Sequence, residues 1–198
     1  MPLTDLNQEN YTYLINELKT TDSWVTYQTG DILKRPDINM LIFQMNCQHV
    51  MNTGLAHKIK ETYLEVLIND KKTTRANPSK LGSFSSSLVK NVNTQNDLLI
   101  LTCYSQFNCG SCDEYSQYDT RDKRLVYLAD CLQSIADFIK LYAFDANNQE
   151  RFVIAVPWMI GCGHEGNDVN NTFFLFKKIF EPLKQYALIM FVDINEKG

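Results

Sequence analysis

The sequence contains few of the residues on which several functional classes depend. It holds 8 glycines and 3 histidines in 198 residues, and its 19 basic side chains are outnumbered by 23 acidic ones, for a formal net charge of -4. Non-specific nucleic-acid binding rests on a basic surface, so we do not expect it here. A small anionic ligand is not excluded, because a few backbone N–H groups can hold a diphosphate on an acidic protein.

Targeting and membrane signals are also missing from the sequence. No apolar run approaches the roughly 18 residues of a membrane span, and residues 1–10 show no basic region followed by an apolar core. We therefore expect no membrane partner and a cytoplasmic location, with the nucleus as the other compartment. The 6 cysteines are then expected to be reduced. No Walker loop and no Gly-x-Ser-x-Gly motif is present.

Metal and redox chemistry have little support. Cys109-Gly-Ser-Cys112 is a C-x-x-C pair, but a structural zinc site needs two more ligands and there is no second pair. The other cysteines fall in predicted strands and helices, where a free thiol packs as a small hydrophobe. We expect no metal and no cofactor. We interpret Cys109 and Cys112 as unreactive loop thiols. A zinc site and thiol redox chemistry are the two alternatives.

Apolar runs alternate with amphipathic segments along the chain. Strands are predicted at residues 24–27, 39–45, 81–92, 97–104, 152–156 and 187–192. Helices are predicted at residues 55–68, 121–144 and 168–186, and exposed polar loops at 69–80 and 105–120. This alternation predicts an α/β protein with helices on both faces of a mostly parallel sheet. We expect a single domain over residues 1–198, in which residues 1–23 form a peripheral helical extension.

The few glycines concentrate where predicted strands end. Three loops follow strands in this way: Gly30–Asp31, Asn46 to Gly54, and Gly161 to Asp168. Ligands of open α/β sheets bind outside the carboxyl ends of the strands. Glycine lets backbone N–H groups approach an anion, and a helix N-terminus adds unpaired N–H groups. The pattern therefore predicts a site for a phosphate-containing ligand.

One of these loops matches a dinucleotide fingerprint. Residues 161–166 read Gly-x-Gly-x-x-Gly after a strand and before a helix, and Asp193 ends the next strand, where a ribose-binding acid is placed in such folds. An NAD-binding oxidoreductase is therefore one alternative. The fingerprint is normally followed by several more βα units, which do not follow Asp193. A phosphate-binding turn of another kind is the favoured interpretation, and a plain tight turn is the third.

Polar side chains in the same loops are candidates for chemistry. His49 and His164 each have a side chain that can titrate near neutrality and transfer a proton, and Asn46 can bind ribose hydroxyls as donor and acceptor. Asp168 either activates water or merely caps the following helix. In the same way Asn52 or Thr53 is a helix cap in the alternative interpretation, and His57 lies on a predicted helix with a structural role.

Together the three loops resemble the macrodomain family. The likeness rests on Gly30-Asp31-Ile32, on Gln44-Met-Asn46-Cys-Gln48 with Met51-Asn-Thr-Gly54-Leu-Ala56, and on Pro157-Trp-Met-Ile-Gly161-Cys-Gly163 with Gly166-Asn-Asp168. It covers about residues 24–193 and is closest to the branch of yeast-type ADP-ribose 1''-phosphate phosphatases and ADP-ribosyl-glutamate hydrolases. The implied fold is a three-layer α/β/α sandwich with a mixed central sheet.

The resemblance also implies a ligand, ADP-ribose or a derivative of it. Asp31 would bind the adenine amino group beside the backbone of Ile32, and Asn46 would hold the distal ribose. The remaining residues would line the diphosphate, on one side through Thr53, Gly54 and Leu55, and on the other through Gly161, Cys162, Gly163, His164, Glu165 and Gly166.

The implied activity is hydrolysis at the distal ribose. Removal of phosphate from ADP-ribose 1''-phosphate is the leading reaction, and removal of ADP-ribose from a modified macromolecule comes second. Asn46 would orient the ribose, His49 or His164 would transfer protons, and Asp168 would place water. Apart from the resemblance, we expect loop 105–120 to cover the distal ribose as a lid, because long loops in compact domains are often functional.

Several departures from the family pattern favour a non-catalytic ADP-ribose reader or sink. The family has glycine where Asn52 and Thr53 stand and tryptophan at Val169, and its lysine nucleophile has no counterpart near residues 101–104.

Overall fold

The computed structural model describes residues 24–145, 151–162 and 168–193. Within them the chain forms six strands, which are β1 (Val25–Thr29), β2 (Met40–Asn46), β3 (Phe84–Lys90), β4 (Asp97–Gln106), β5 (Phe152–Pro157) and β6 (Ala187–Asp193). The α-helices of this part are α1 (Gly54–Thr62), α2 (Leu64–Asp70), α3 (Arg121–Asp145) and α4 (Val169–Phe180). The helix predicted within residues 1–23 lies outside the described residues.

All six strands belong to one sheet in the order β1-β6-β5-β2-β4-β3. Every neighbouring pair is parallel except β3 and β4, which run antiparallel with Phe84 opposite Cys103 and Lys90 opposite Asp97. The central strands are continuous apolar runs because both of their faces are covered, as is usual in parallel sheets. The predicted mixed, mostly parallel sheet is confirmed.

Two hydrophobic cores lie on opposite faces of this sheet. On one face α3 and α4 pack through residues such as Leu132, Ile135 and Phe176. On the other face α1 and α2 pack through residues such as Ile59 and Val66. The helices therefore form the outer layers of a three-layer α/β/α sandwich, as predicted.

The prediction of one continuous helix over residues 55–68 is wrong. Tyr63 leaves the helical conformation with φ -134° and ψ 78°, and it separates α1 from α2. Its ring is 2% exposed within the core, and its hydroxyl oxygen accepts a hydrogen bond of 3.4 Å from the backbone N–H of Val92. Tertiary contacts of this side chain thus override the helical periodicity.

One further boundary and the exposure of one segment differ from the prediction. The last helix was expected to reach residue 186, but α4 ends at Phe180 and a short 3₁₀ turn follows over Glu181–Leu183. Pro182 explains this end, since a proline has no backbone N–H to donate to the carbonyl four residues earlier in an α-helix. The polar segment 69–80 is not uniformly exposed, because Asp70 and Lys80 are buried at its two ends.

None of the helices in the described part of the chain combines the length and hydropathy needed to cross a bilayer.

Candidate functional site

The sheet has a point at which neighbouring connections diverge. Strands β2 and β5 are parallel neighbours. The connection after β2 leads to α1 on one face of the sheet, and the connection after β5 leads to α4 on the other face. Such divergence opens a crevice at the carboxyl ends of the two strands, which is where open α/β sheets bind their ligands.

Each of the three predicted loops contains a glycine with positive φ. The angles are 126° at Gly30, 58° at Gly54 and 74° at Gly161. Residues other than glycine rarely adopt these backbone conformations. A Cβ added at Gly30 or Gly54 would meet no atom within 4 Å, so the space beside both backbones is open.

The N-terminus of α1 is not capped by a side chain. Thr53 occupies the N-cap position, but its side chain makes no capping hydrogen bond. The first N–H groups of an α-helix have no partner within the helix, and together they favour an anion. The alternative in which the Thr53 side chain caps the helix is therefore wrong. The first N–H groups of α1 remain suited to a ligand.

Asp168, in contrast, does cap its helix. Its carboxylate accepts a hydrogen bond of 3.1 Å from the backbone N–H of Asn171 in the first turn of α4. Asp168 therefore caps the helix, as the alternative interpretation expected. Its predicted role in placing a water molecule remains a prediction.

Asn46 ties together the loop that follows β2. Its Oδ1 accepts hydrogen bonds from the N–H groups of Gln48 at 2.9 Å and Val50 at 3.1 Å, and its Nδ2 donates to the carbonyl of Val50 at 2.8 Å. The side chain amide has two N–H donors and an oxygen with two lone pairs. With both lone pairs occupied, Asn46 retains one N–H for a ligand, so it acts as a donor only.

His49 lies within this loop and has a φ of 60°. Its Nε2 is 3.1 Å from the hydroxyl of Thr73 and 3.8 Å from the Oδ1 of Asp70, and its side chain is 10% exposed. Burial lowers the pKa of His49 below its ordinary value, and the Asp70 carboxylate only partly opposes this shift. The 3.8 Å approach is too long for a hydrogen bond, and we describe His49 as a neutral imidazole bonded to Thr73.

A buried polar cluster of Asp70, Lys80 and Tyr104 lies next to His49. Asp70 is fully buried, and its Oδ1 accepts hydrogen bonds from the Tyr104 hydroxyl at 2.7 Å and from Lys80 Nζ at 3.2 Å. Lys80 Nζ also lies 4.1 Å from the centre of the Tyr104 ring. The sequence shows no lysine near residues 101–104, yet the fold brings Lys80 to that strand end from a remote segment. Nothing in the spacing of these residues signalled the cluster.

The other predicted contacts are partly engaged within the protein. Asp31 follows β1, and its Oδ1 accepts a hydrogen bond of 3.0 Å from the N–H of Leu33, while Ile32 beside it is fully buried. The N–H of Cys162 donates to the carbonyl of Met159 at 2.9 Å. Leu55, in the first turn of α1, packs against the core on the α1 face. Gly163, His164, Glu165 and Gly166 lie outside the described residues.

A second buried charge pair holds the loop of residues 107–120. Asp119 accepts hydrogen bonds of 2.8 Å from the N–H groups of Phe107 and Asn108 and one of 3.1 Å from Arg124 Nε. Arg124 is fully buried and donates to the carbonyl of Gly110 at 2.8 Å. Sequence reasoning missed this pair, because an arginine near a helix start is normally a solvated surface residue.

Cys109 and Cys112, the cysteine pair of the same loop, are both free thiols. Cys109 is exposed and Cys112 is half-buried. Among the described residues no group of three or more His, Cys, Asp or Glu side chains is arranged to hold a metal ion.

The architecture matches macrodomains of known structure. The macrodomain of Mycobacterium tuberculosis DarG matches with a TM-score of 0.61 at 20% sequence identity, over 87% of this chain and 98% of that one. The Oceanobacillus iheyensis macrodomain with MES bound matches with a TM-score of 0.58 at 17% identity, over 87% and 85%. Thermosipho africanus DarTG in complex with ADP-ribose matches with a TM-score of 0.59 at 17% identity, over 90% and 43%. No family model and no curated protein matches the sequence. The chain has the macrodomain fold, as the sequence resemblance predicted.

Proposed function

We propose that this macrodomain-fold protein binds ADP-ribose or a derivative in the crevice between β2 and β5 and hydrolyses a group on its distal ribose. The observation that carries the proposal is the divergence of α1 and α4 from these neighbouring strands. Both loops at that point have a glycine with positive φ, Gly54 and Gly161. The complex of Thermosipho africanus DarTG with ADP-ribose supports the choice of ligand.

The diphosphate is assigned to the N-terminus of α1. Its N–H groups are not taken by the Thr53 side chain, and the open space beside Gly54 lets an anion approach the backbone. Asp31 follows β1 and would accept from the adenine amino group through its Oδ2. Asn46 would donate its remaining N–H to a hydroxyl of the distal ribose.

The leading reaction is hydrolysis of the 1''-phosphate. The water oxygen bonds to phosphorus, the bond between phosphorus and the 1''-oxygen breaks, and its electron pair stays on that oxygen. The proton of the water passes to the imidazole of His49 and then to the 1''-oxygen, which leaves ADP-ribose and inorganic phosphate. Cys47 beside Asn46 is not the nucleophile, since burial raises the pKa of its thiol to about 12.

Calorimetric titration with ADP-ribose, followed by phosphate release from ADP-ribose 1''-phosphate, tests the proposal. We expect binding by the wild type and loss of binding in Gly54→Val, whose added side chain fills the space assigned to the diphosphate. Urea denaturation of Gly54→Val is the control, because the φ of 58° at this position strains any side chain, and loss of binding refers to the ligand only in a variant that remains folded. Absence of binding by the wild type would overturn the assignment, as would equal binding by Gly54→Val.

A non-catalytic reader or sink is the second candidate. It is favoured by the engagement of Asn46 and Asp168 in hydrogen bonds that hold their own loops. Binding without release of phosphate, and without release of ADP-ribose from a modified protein, would establish this function in place of hydrolysis.

A further inference from the structure

The hydroxyl of Thr73 determines which nitrogen of His49 carries the proton. Thr73 Oγ1 lies 2.7 Å from the carbonyl oxygen of Asp70, to which it donates its single hydrogen, because a carbonyl can only accept. The same oxygen lies 3.1 Å from His49 Nε2. With its hydrogen already donated, Thr73 can only accept from His49, so the proton of the imidazole lies on Nε2.

The carboxylate of Asp70 favours the same tautomer. Its Oδ1 lies 3.8 Å from His49 Nε2, where negative charge favours a hydrogen on that nitrogen and disfavours a lone pair. The carboxylate itself is held by the Tyr104 hydroxyl and Lys80 Nζ, and its second oxygen has no hydrogen-bond partner within the described residues. Two independent contacts therefore place the proton of His49 on the nitrogen that faces the cluster.

The backbone of the loop holds His49 against these partners. A φ of 60° is uncommon for a residue other than glycine and persists where surrounding contacts impose it. Asn46 supplies those contacts, since its side chain bonds to residues on both sides of His49, namely Gln48 and Val50. The other ring nitrogen, Nδ1, makes no hydrogen bond in the described part of the chain.

The geometry points to Thr73 and Asp70 as positioning residues that keep the proton of His49 on Nε2 and leave Nδ1 as the proton acceptor for the reaction. The role of Nδ1 as a base rests on the proposed hydrolysis. The tautomer itself is a property of the free protein. Thr73 acts by its oxygen and Asp70 by its charge, both through His49. Because the tautomer and the turnover are separate measurements, failure of one is distinguishable from failure of the other.

The pH dependence follows from the charges around His49. Burial lowers its pKa, and the cations Lys80, Arg75 and Lys71 lower it further, while Asp70 is the group that raises it. A base works only when unprotonated, so the rate is lost as the pH falls through the pKa of His49. Asp70→Asn removes the group that raises this pKa, and it should move the acid limb of the pH–rate profile to lower pH.

Long-range ¹H–¹⁵N NMR of the imidazole rings in the full chain is the decisive experiment. The chain has 3 histidines, so loss of signals in His57→Gln and His164→Gln assigns those of His49. We expect the Nε2–H tautomer of His49 in the wild type and in Thr73→Ser, which keeps the hydroxyl. In Thr73→Val we expect a mixture of tautomers and a fall in kcat of at least about tenfold, within the roughly 10²–10⁴-fold that a positioned base contributes.

Each outcome bears on a different claim. A wild-type Nδ1–H tautomer overturns the positioning role of both residues whatever the turnover, and an unchanged tautomer in Thr73→Val overturns that of Thr73. The expected tautomers without any hydrolysis by the wild type overturn the proposed function and the use of Nδ1 as a base. If Asp70→Asn does not fold, the Thr73 pair still decides, since Thr73 is only half-buried.

Discussion

Replacing Arg124 with methionine tests whether a buried ion pair holds loop 107–120. Arg124 is fully buried, and it donates to Asp119, to the carbonyl of Gly110 and, at 3.3 Å, to the carbonyl of Ser111. Methionine keeps much of the aliphatic volume and removes the charge and all three contacts. Asp119, which is 2% exposed, would then be a buried carboxylate without a cation.

The expected loss of stability is large. Removing one partner of a buried pair costs roughly 3–5 kcal/mol, because an uncompensated charge remains. Asp119 keeps its two backbone donors at Phe107 and Asn108, so we expect the lower end, about 3 kcal/mol. That is a substantial part of the roughly 5–15 kcal/mol by which native domains are stable.

Urea denaturation at neutral pH measures this loss as a lower midpoint with an unchanged slope. Lys123→Met is the matched control: Lys123 is the preceding residue of α3 and is exposed, and its side chain donates to the carbonyl of Gln117. We expect it to stay within about 0.5 kcal/mol of the wild type. In the double variant with Asp119→Asn the cost should be less than the sum of the single costs. A loss below about 1 kcal/mol in Arg124→Met, or strict additivity, would refute the reasoning.

Three further outcomes are expected. Tyr104→Phe removes the donor to Asp70 and should lower the free energy of unfolding by about 1–3 kcal/mol in urea. Because burial raises the pKa of Cys47 to about 12, its thiol stays protonated below that pH, and iodoacetamide at mildly alkaline pH should label exposed Cys109 in the native protein and leave Cys47 unmodified, as peptide mass spectrometry would show. Leu88→Lys, on edge strand β3 where Leu88 is 66% exposed, should change stability by less than about 0.5 kcal/mol and reduce any self-association in light scattering.

The central strands were predictable because each is largely a continuous apolar run. The run at residues 152–156 became β5, which ends at Pro157, and the run at 187–192 became β6, which ends at Asp193. Local composition suffices in such cases, since a strand covered on both faces must be apolar along its length. The break at Tyr63 was not predictable in this way, because its cause is a contact with Val92, far away in the sequence.

The candidate site was predictable in its backbone and not in its buried charges. A glycine after a strand indicates a turn that needs a positive φ, and Gly30, Gly54 and Gly161 all have one. Asp70 and Lys80 lie in a polar segment that composition describes as exposed, and only the fold shows that each compensates the other. A charge becomes compatible with burial through its partner, and a partner remote in sequence leaves no local pattern.

Asn46 shows why a residue identified by resemblance needs a structural control before its variants are interpreted. Asn46→Ala would remove three hydrogen bonds that hold the loop around His49. A loss of turnover in that variant would follow equally from a lost ligand contact and from a displaced His49. Gly54 makes no such side-chain bonds, and a side chain added there meets open space in the free protein and the assigned diphosphate in the complex, although its φ of 58° strains the backbone. Substitution at Gly54, rather than at Asn46, together with the urea midpoint of the variant, therefore decides whether the crevice binds the ligand.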